Sequence, residues 1–257
     1  AFAISNIDDK RGAVMLQNTA ALKCTYSLLS PATFKVKIIE NNLTGLVLLM
    51  DGFETHFRLI GKFNAYNLLA VFGVAINLGQ DKVNVLSHLS NLLGAKGRFE
   101  TYLSAKDRVL AIVDYAHTPD ALLNVLTTIQ QLKVDDQHVI TVVGCGGNRD
   151  ADKRPLMAEV AVKYSNQVIL TSDNPRFENP STILDQMEEG ISVSKKKFML
   201  RIEDRAAAIQ TACLLAKPND IILIAGKGHE TYQEINGIKH PFDDAQMIVD
   251  FFKTLEK

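Results

Sequence analysis

The chain is poor in cysteine: only Cys24, Cys145 and Cys213 occur in its 257 residues, and no two of them form a C-x-x-C pair. An odd count without that spacing suggests neither a zinc site nor a disulfide framework, and no metal ligand is assigned. Cys145 lies in a glycine-rich loop, where a small buried or half-buried residue is expected rather than a nucleophile. Long apolar runs are missing as well. No stretch approaches the ~18–20 residues of a membrane span and no secretory signal is seen at Ala1, so a cytoplasmic location without a membrane partner is expected. Charge of one sign is also absent. With 28 Lys+Arg against 29 Asp+Glu the net charge is −1, and without a long basic run nucleic acid is not the expected partner. Nor is there a G-x-x-x-x-G-K-[ST] loop to cradle phosphates: Gly226-Lys227 lacks the following Ser or Thr, and Gly144-Cys145-Gly146-Gly147 lacks the lysine.

What is present suits a folded α/β protein. Hydrophobic residues make up 47% of the chain, enough for real cores, and the length suits two domains. Residues 1–7 are strand-like, Asp8-Asp9 resembles a helix start, and short alternating runs follow at 33–40, 43–50 and 56–60. These read as antiparallel strands, with Asp51-Gly52 as a hairpin turn. Helical spacing covers 64–78 and 83–93. Beyond a divide near 98–104, strands near 109–113, 139–143, 167–171 and 221–225 alternate with helices near 119–132, 153–164, 180–189 and 204–216. A further strand is expected at 199–202 and a closing helix at 243–255. That alternation implies a doubly wound, mostly parallel Rossmann-like sheet. The expected domains are 1–100 and 101–257.

Four of these strands end in loops that concentrate glycines and ionisable residues. They are Asp114-Tyr115-Ala116-His117, Gly144-Cys145-Gly146-Gly147-Asn148-Arg149-Asp150, Asp173-Asn174-Pro175-Arg176 and Gly226-Lys227-Gly228-His229-Glu230. In open α/β sheets ligands bind outside the carboxyl ends of the strands, so the four loops are read as one composite site. Pro175 fixes its own φ and holds Asn174 extended, stiffening its turn. Arg149 and Arg176 can each grip a carboxylate or phosphate with a planar fork, and Asp173 and Glu230 can accept from ammonium groups. Two cations and two anions match a ligand with two carboxylates and two amines. The alternative is that the four merely pair with one another. Glycine-rich turns also let a ligand approach the backbone closely.

The motifs DYAHTPDAL (residues 114–122), GCGGNRD (144–150), KRPLM (153–157), DNPR (173–176) and GKGHE (226–230), preceded by GKFNAYNLLA (61–70) and GRFE (97–100), resemble in order those of Mur ligases of the diaminopimelate-adding type. The resemblance spans nearly the whole chain. It implies the later part of a central ATPase domain followed by the family's C-terminal domain, without the amino-terminal domain or the P-loop part of the central one. Such enzymes use ATP and Mg2+ to join meso-diaminopimelate to UDP-N-acetylmuramoyl-L-alanyl-D-glutamate through an acyl phosphate, in peptidoglycan precursor synthesis. The segment's task is then to hold the amine donor, with closure about residues 98–104, and it is expected to be inactive alone and monomeric.

Residue by residue, the resemblance assigns Arg149, Asp173, Asn174, Pro175, Arg176, Gly226 and Glu230 to diaminopimelate, and it assigns Asn67, Arg98 and Asp114 to the nucleotide. DNPR is the family's mark for diaminopimelate over lysine, because an arginine at the distal end rewards a carboxylate that lysine lacks. Leaving that arginine unpaired would cost roughly 1–3 kcal/mol. Bland readings stand beside the nucleotide set: helix-face decoration for Asn67, a solvated charge for Arg98 and a structural cap for Asp114. His117 and His229 are candidates for taking the amine's proton, with structural hydrogen bonding as the alternative, so the catalytic base is left open. Other readings are a lysine-adding, folylpolyglutamate or cyanophycin type of ligase, a non-catalytic ligand-binding module, and a dinucleotide-dependent oxidoreductase. The last lacks an intact G-x-G-x-x-G.

Overall fold

The computed structural model describes residues 1–134 and 136–255; the remaining positions of the expected 101–257 domain lie outside the described residues. The chain forms two compact units, Ala1–Gly94 and Ala95–Lys257.

The first unit is a five-stranded sheet in the order β1 (Phe2–Asn6), β2 (Leu22–Ser27), β3 (Phe34–Asn42), β4 (Gly45–Met50), β5 (Phe53–Phe57). β1, β2 and β3 run parallel, whereas β3–β4–β5 form the antiparallel meander. The turn between β4 and β5 is Asp51-Gly52, both at positive φ, as its sequence implies. β5 lies earlier than the 56–60 expected, because the two-residue turn lets pairing resume at once with Met50 opposite Phe53. A short helix, α1 (Gly12–Met15), precedes β2. The 16-residue α2 (Lys62–Asn77) covers β1 to β4, and α3 (Lys82–Ser90) packs on β5. Leu46, Leu48, Met50 and Phe57 meet Leu68, Leu69, Phe72 and Leu86 in the core. Asp8 does not open a helix. Its carboxylate accepts from Ser27 Oγ at 2.7 Å, Leu28 N at 2.8 Å and Tyr66 Oη at 2.9 Å, tying the loop after β1 to the end of β2 and to α2.

The second unit carries a six-stranded sheet. Its order is β10 (Met199–Arg201), β9 (Gln167–Leu170), β8 (Val139–Val143), β11 (Ile221–Ala225), β7 (Leu110–Asp114), β6 (Glu100–Leu103). Five strands are parallel, and β6 alone is antiparallel, on the β7 edge. Residues 100–103 therefore belong to this sheet rather than to a linker, and the units divide earlier than the 100/101 boundary expected from sequence. One face, built from Val113, Val142, Ile169 and Ile224, packs on α7 (Arg205–Leu215) and α8 (Asp244–Thr254) through Ile209, Ala212, Ile248 and Phe252. The opposite face is covered by α5 (Lys153–Tyr164), flanked by α4 (Pro119–Leu132) and α6 (Pro180–Glu188). Because both faces are covered, the central strands read as continuous apolar runs. Each buried Leu or Ile contributes about 1.5–3 kcal/mol. The caps are local: Thr118, Asn179, Asp204 and Asp243 each accept from a first-turn N–H of α4, α6, α7 and α8. A hairpin not expected from sequence, β12 (Tyr232–Ile235) and β13 (Ile238–Pro241), stands apart from the sheet on the turn Asn236-Gly237.

Candidate functional site

β11 lies between β7 and β8, so the strand order reverses there, where a crevice opens in such sheets. The register is level: Ala225 pairs with both Asp114 and Val143, and Val143 with Leu170. All four loops therefore leave the sheet at one edge and enclose a cavity of about 580 Å³. Arg149, Asp173, Asn174, Arg176, Gly226, Glu230 and His117 all line it. The four ionisable members do not pair off with one another. Arg176 meets Glu234 and Glu230 meets Lys227, and among the described residues no ion pair joins any two of the four.

Two of the glycines also admit protein backbone. A Cβ on Gly144 would lie 2.3 Å from the Thr171 carbonyl oxygen, and one on Gly147 would lie 2.0 Å from that of Pro175. These two let the backbone of the 171–176 turn come close, and Gly147 N donates to Asn174 O at 2.9 Å. Pro175 itself is buried at this contact. Gly146 leaves room for the Arg176 guanidinium, whose Nη1 would be 3.0 Å from a Cβ there. Gly226, at φ 119, faces Asp173, whose Oδ2 would be 2.6 Å from an added Cβ.

Asp173 is buried, and burial pushes its carboxyl above the ordinary range against the pull of Arg205 and Lys227. An arriving ammonium would supply a further counter-charge. Asn174 Nδ2 donates to Glu230 Oε2 at 2.7 Å, while its Oδ1 accepts from Lys227 Nζ at 3.1 Å and from Glu234 N at 2.9 Å. Lys227 is fully buried. Its three donors go to Asn174, to Glu230 Oε2 at 3.2 Å and to the Tyr232 carbonyl. Both ties to Glu230 thus use Oε2, which leaves Oε1 for a ligand.

Arg176 sits at φ 52, a left-handed conformation rare for a side-chain-bearing residue. The hairpin holds it there: Arg176 N donates to Glu234 O at 3.0 Å, and Asn236 N donates to Arg176 O at 2.6 Å. Its Nη1 donates to Gly147 O at 2.7 Å, and its Nε lies 3.4 Å from Glu234 Oε2. Arg149 is exposed at the rim.

The remaining assignments fall at the edge of this arrangement. Tyr115 lines the cavity and is covered by the Arg98 guanidinium, 4.5 Å from its ring centre, by His117 at 4.6 Å and by His229 at 5.2 Å. His117 Nδ1 is 2.8 Å from the Tyr115 carbonyl oxygen, which can only accept. Nδ1 is therefore the donor in this contact, and Nε2 is not engaged by it. Asp114 Oδ2 accepts from Phe99 N at 2.7 Å. Burial raises its carboxyl, opposed by the Phe99 and Ala116 N–H groups and by Arg98. Gly97 and Gly228 touch backbone to backbone, since a Cβ on Gly97 would fall 2.1 Å from His229 N. Asn67 belongs to the first unit, exposed on α2, where its Nδ2 donates to Asn64 Oδ1 at 3.1 Å. Cys145 is buried, and burial pushes its thiol up to about 12, so it is no nucleophile at neutral pH.

Sequence reasoning missed the supports. Arg205 and Asp244 form a fully buried pair at 2.7 Å, and Arg205 also donates to Ala225 O at 3.2 Å, at the end of β11. Arg154, of the KRPLM motif, donates to Gly146 O at 3.2 Å and pairs with Glu178 at 2.9 Å. Glu178 in turn accepts from Asn148 N, which braces the glycine loop. Lys227 and Glu234 were overlooked too. An Asn-Gly pair between alternating residues was the available signal for the hairpin. Among the described residues no three His, Cys, Asp or Glu side chains converge as for a metal ion, and no helix is long and apolar enough to cross a membrane.

A doubly wound unit with a mixed-charge crevice at its switch point is the architecture of a small-molecule-binding α/β domain. Residues 97–228 match the family description "Mur ligase, glutamate ligase domain", and residues 1–75 match "Mur ligase middle domain". The chain belongs to the Mur ligase family. It is 57% identical over 256 residues to the UDP-N-acetylmuramoyl-L-alanyl-D-glutamate–2,6-diaminopimelate ligase of Cytophaga hutchinsonii, covering 100% of this chain and 52% of that protein. It is 54% identical to the like-named ligase of Parabacteroides distasonis, covering 98% and 52%. A solved structure of a ligase of that name is 38% identical with a TM-score of 0.69, covering 100% of this chain and 54% of the other. The chain spans about half the length of these relatives.

Proposed function

We propose that this chain is the amino-acid-binding part of an ATP-dependent ligase that adds meso-diaminopimelate to UDP-N-acetylmuramoyl-L-alanyl-D-glutamate in peptidoglycan precursor synthesis. The observation that carries the reading is one crevice holding two arginine forks and two carboxylates, none paired with another of the four. In this reading Arg149 and Arg176 hold the carboxylates of the amino acid, with Asn174 beside them. Asp173, Glu230 and the Gly226 carbonyl take its ammonium groups, and Pro175 keeps the turn rigid. Fixing the amine in near-attack geometry can remove about 7–11 kcal/mol from a barrier. Of the two histidines only His117 lines the cavity, so it is the better placed to receive the amine's proton.

ATP and Mg2+ belong to this reading through the family. The residues present do not fit the triphosphate: there is no G-x-x-x-x-G-K-[ST] loop. Asn67, Arg98 and Asp114 are proposed to meet the nucleotide. A monomeric, cytoplasmic protein is the accompanying expectation.

Calorimetric titration with meso-diaminopimelate, L-lysine and ATP tests the reading. Diaminopimelate should bind more tightly than lysine by about 5- to 150-fold, the equivalent of roughly 1–3 kcal/mol for an unpaired polar group. Equal affinity for the two amino acids would overturn it.

A further inference from the structure

Arg176 is held from three directions, and two of them come from the hairpin. β12 grips its backbone through Glu234 O and Asn236 N, stabilising a φ of 52. The Glu234 side chain lies 3.4 Å from Nε, on one edge of the guanidinium, while Gly147 O takes Nη1. Glu234 does not line the cavity, whereas Arg176 does. The same strand reaches the rest of the turn: Glu234 N donates to Asn174 Oδ1 at 2.9 Å, and Gln233 Nε2 donates to Asp173 O at 2.7 Å. Gln233 and Glu234 therefore reach Asp173, Asn174 and Arg176 without lining the cavity, which this strand meets through Tyr232.

We infer that Glu234 is a positioning residue for amino-acid selection, fixing the Arg176 fork so that its free edge meets a carboxylate at the distal end of the bound amino acid. This rests on the ligand class proposed above. Glu234 acts on Arg176 in two opposed ways. Its charge partly neutralises the guanidinium and weakens the pull on a ligand carboxylate, whereas its oxygen removes the freedom of a long side chain. Immobilising a side chain of this kind is worth about three- to ten-fold in affinity at a binding site. Both side chains are only about one-fifth exposed, so solvent screens the pair little and both effects operate; the aiming role is taken as the larger, and the two substitutions below separate them.

The two roles separate in Glu234→Gln, which keeps an acceptor without the charge, and Glu234→Ala, which removes both. Affinity for meso-diaminopimelate and for L-lysine is measured with each variant, together with the proton–nitrogen signals of the arginine Nε–H groups. Glu234→Ala should lower the preference for diaminopimelate about three- to ten-fold, with lysine affinity unchanged and faster guanidinium rotation at Arg176. Glu234→Gln should keep the preference within about two-fold. Equal effects of the two substitutions, or an unaltered Arg176 signal in Glu234→Ala, would overturn the inference. A wild-type protein that does not prefer diaminopimelate would instead overturn the ligand assignment, and the Arg176 signal would still decide whether Glu234 positions it.

Discussion

Lys227 and Glu230 meet at 3.2 Å, one helical turn apart in sequence, and this pair joins the GKGHE loop to the DNPR turn through Asn174. Lys227, fully buried, has the three acceptors its ammonium needs.

Lys227→Met should therefore lower stability by about 2–3 kcal/mol, less than for a wholly buried pair because Glu230 keeps some contact with water. It should also leave Glu230 held by Asn174 alone and weaken amino-acid binding. Urea midpoints and calorimetry on the same preparation check both effects; unchanged stability would refute the tie.

Arg176→Ala should reduce diaminopimelate affinity far more than it perturbs the fold. Arg176→Gly should lose the same affinity yet be more stable than the alanine variant by about 1 kcal/mol, since φ 52 is open to glycine. Melting curves of the two variants, side by side, decide this. An alanine variant as stable as the glycine one would contradict the left-handed conformation.

Gly147→Ala would put a Cβ 2.0 Å from the Pro175 carbonyl oxygen. The DNPR turn must then shift, at about 1–3 kcal/mol, and amino-acid binding should be lost. Gly52→Ala has no atom within 4 Å of its Cβ and faces only the strain of φ 85. It should cost about 1 kcal/mol and leave binding untouched. Thermal unfolding and titration of both variants distinguish crowding from strain.

Glu178 carries a predictable pH dependence. The hydrogen bond from Arg154 and then the Asn148 N–H hold its carboxyl below its ordinary value of 4.5. Near that pH the folded state binds fewer protons than the unfolded one. The stabilisation is therefore full above about pH 4.5 and disappears as pH falls through the depressed value. Glu178→Gln should flatten this acid limb. Urea midpoints across the acid range measure it, and parallel curves for the two proteins would count against the Arg154–Glu178–Asn148 brace.

Much of this was legible in the sequence because it is periodic or local. The runs ending at Asp114, Val143 and Ala225 are strands buried on both faces, and Thr118, Asn179 and Asp204 announce their helices. The placing of Arg149, Asp173, Arg176 and Glu230 in one crevice followed from strand ends alone. The supports were not legible. Lys227 and Glu234 look like surface residues in sequence, and only tertiary contacts more than 50 positions away bury the first and turn the second toward Arg176. The purpose of Gly144 and Gly147 was likewise hidden, since a close approach by a distant turn leaves no local pattern. β6 escaped notice because four half-exposed residues on an edge carry little hydrophobic signal.

The position of β11 has a consequence for how the crevice comes into being. As the chain is synthesised, β7, β8 and β9 are complete well before β11, yet β11 must be inserted between β7 and β8. Until residue 225 is available, β7 and β8 lack the strand that lies between them in the finished sheet, and unpaired strand edges are prone to aggregation. Non-local parallel pairing of this kind is slow. The crevice cannot be complete before β11 pairs, and that pairing both fills the sheet and brings Gly226, Lys227 and Glu230 to their partners.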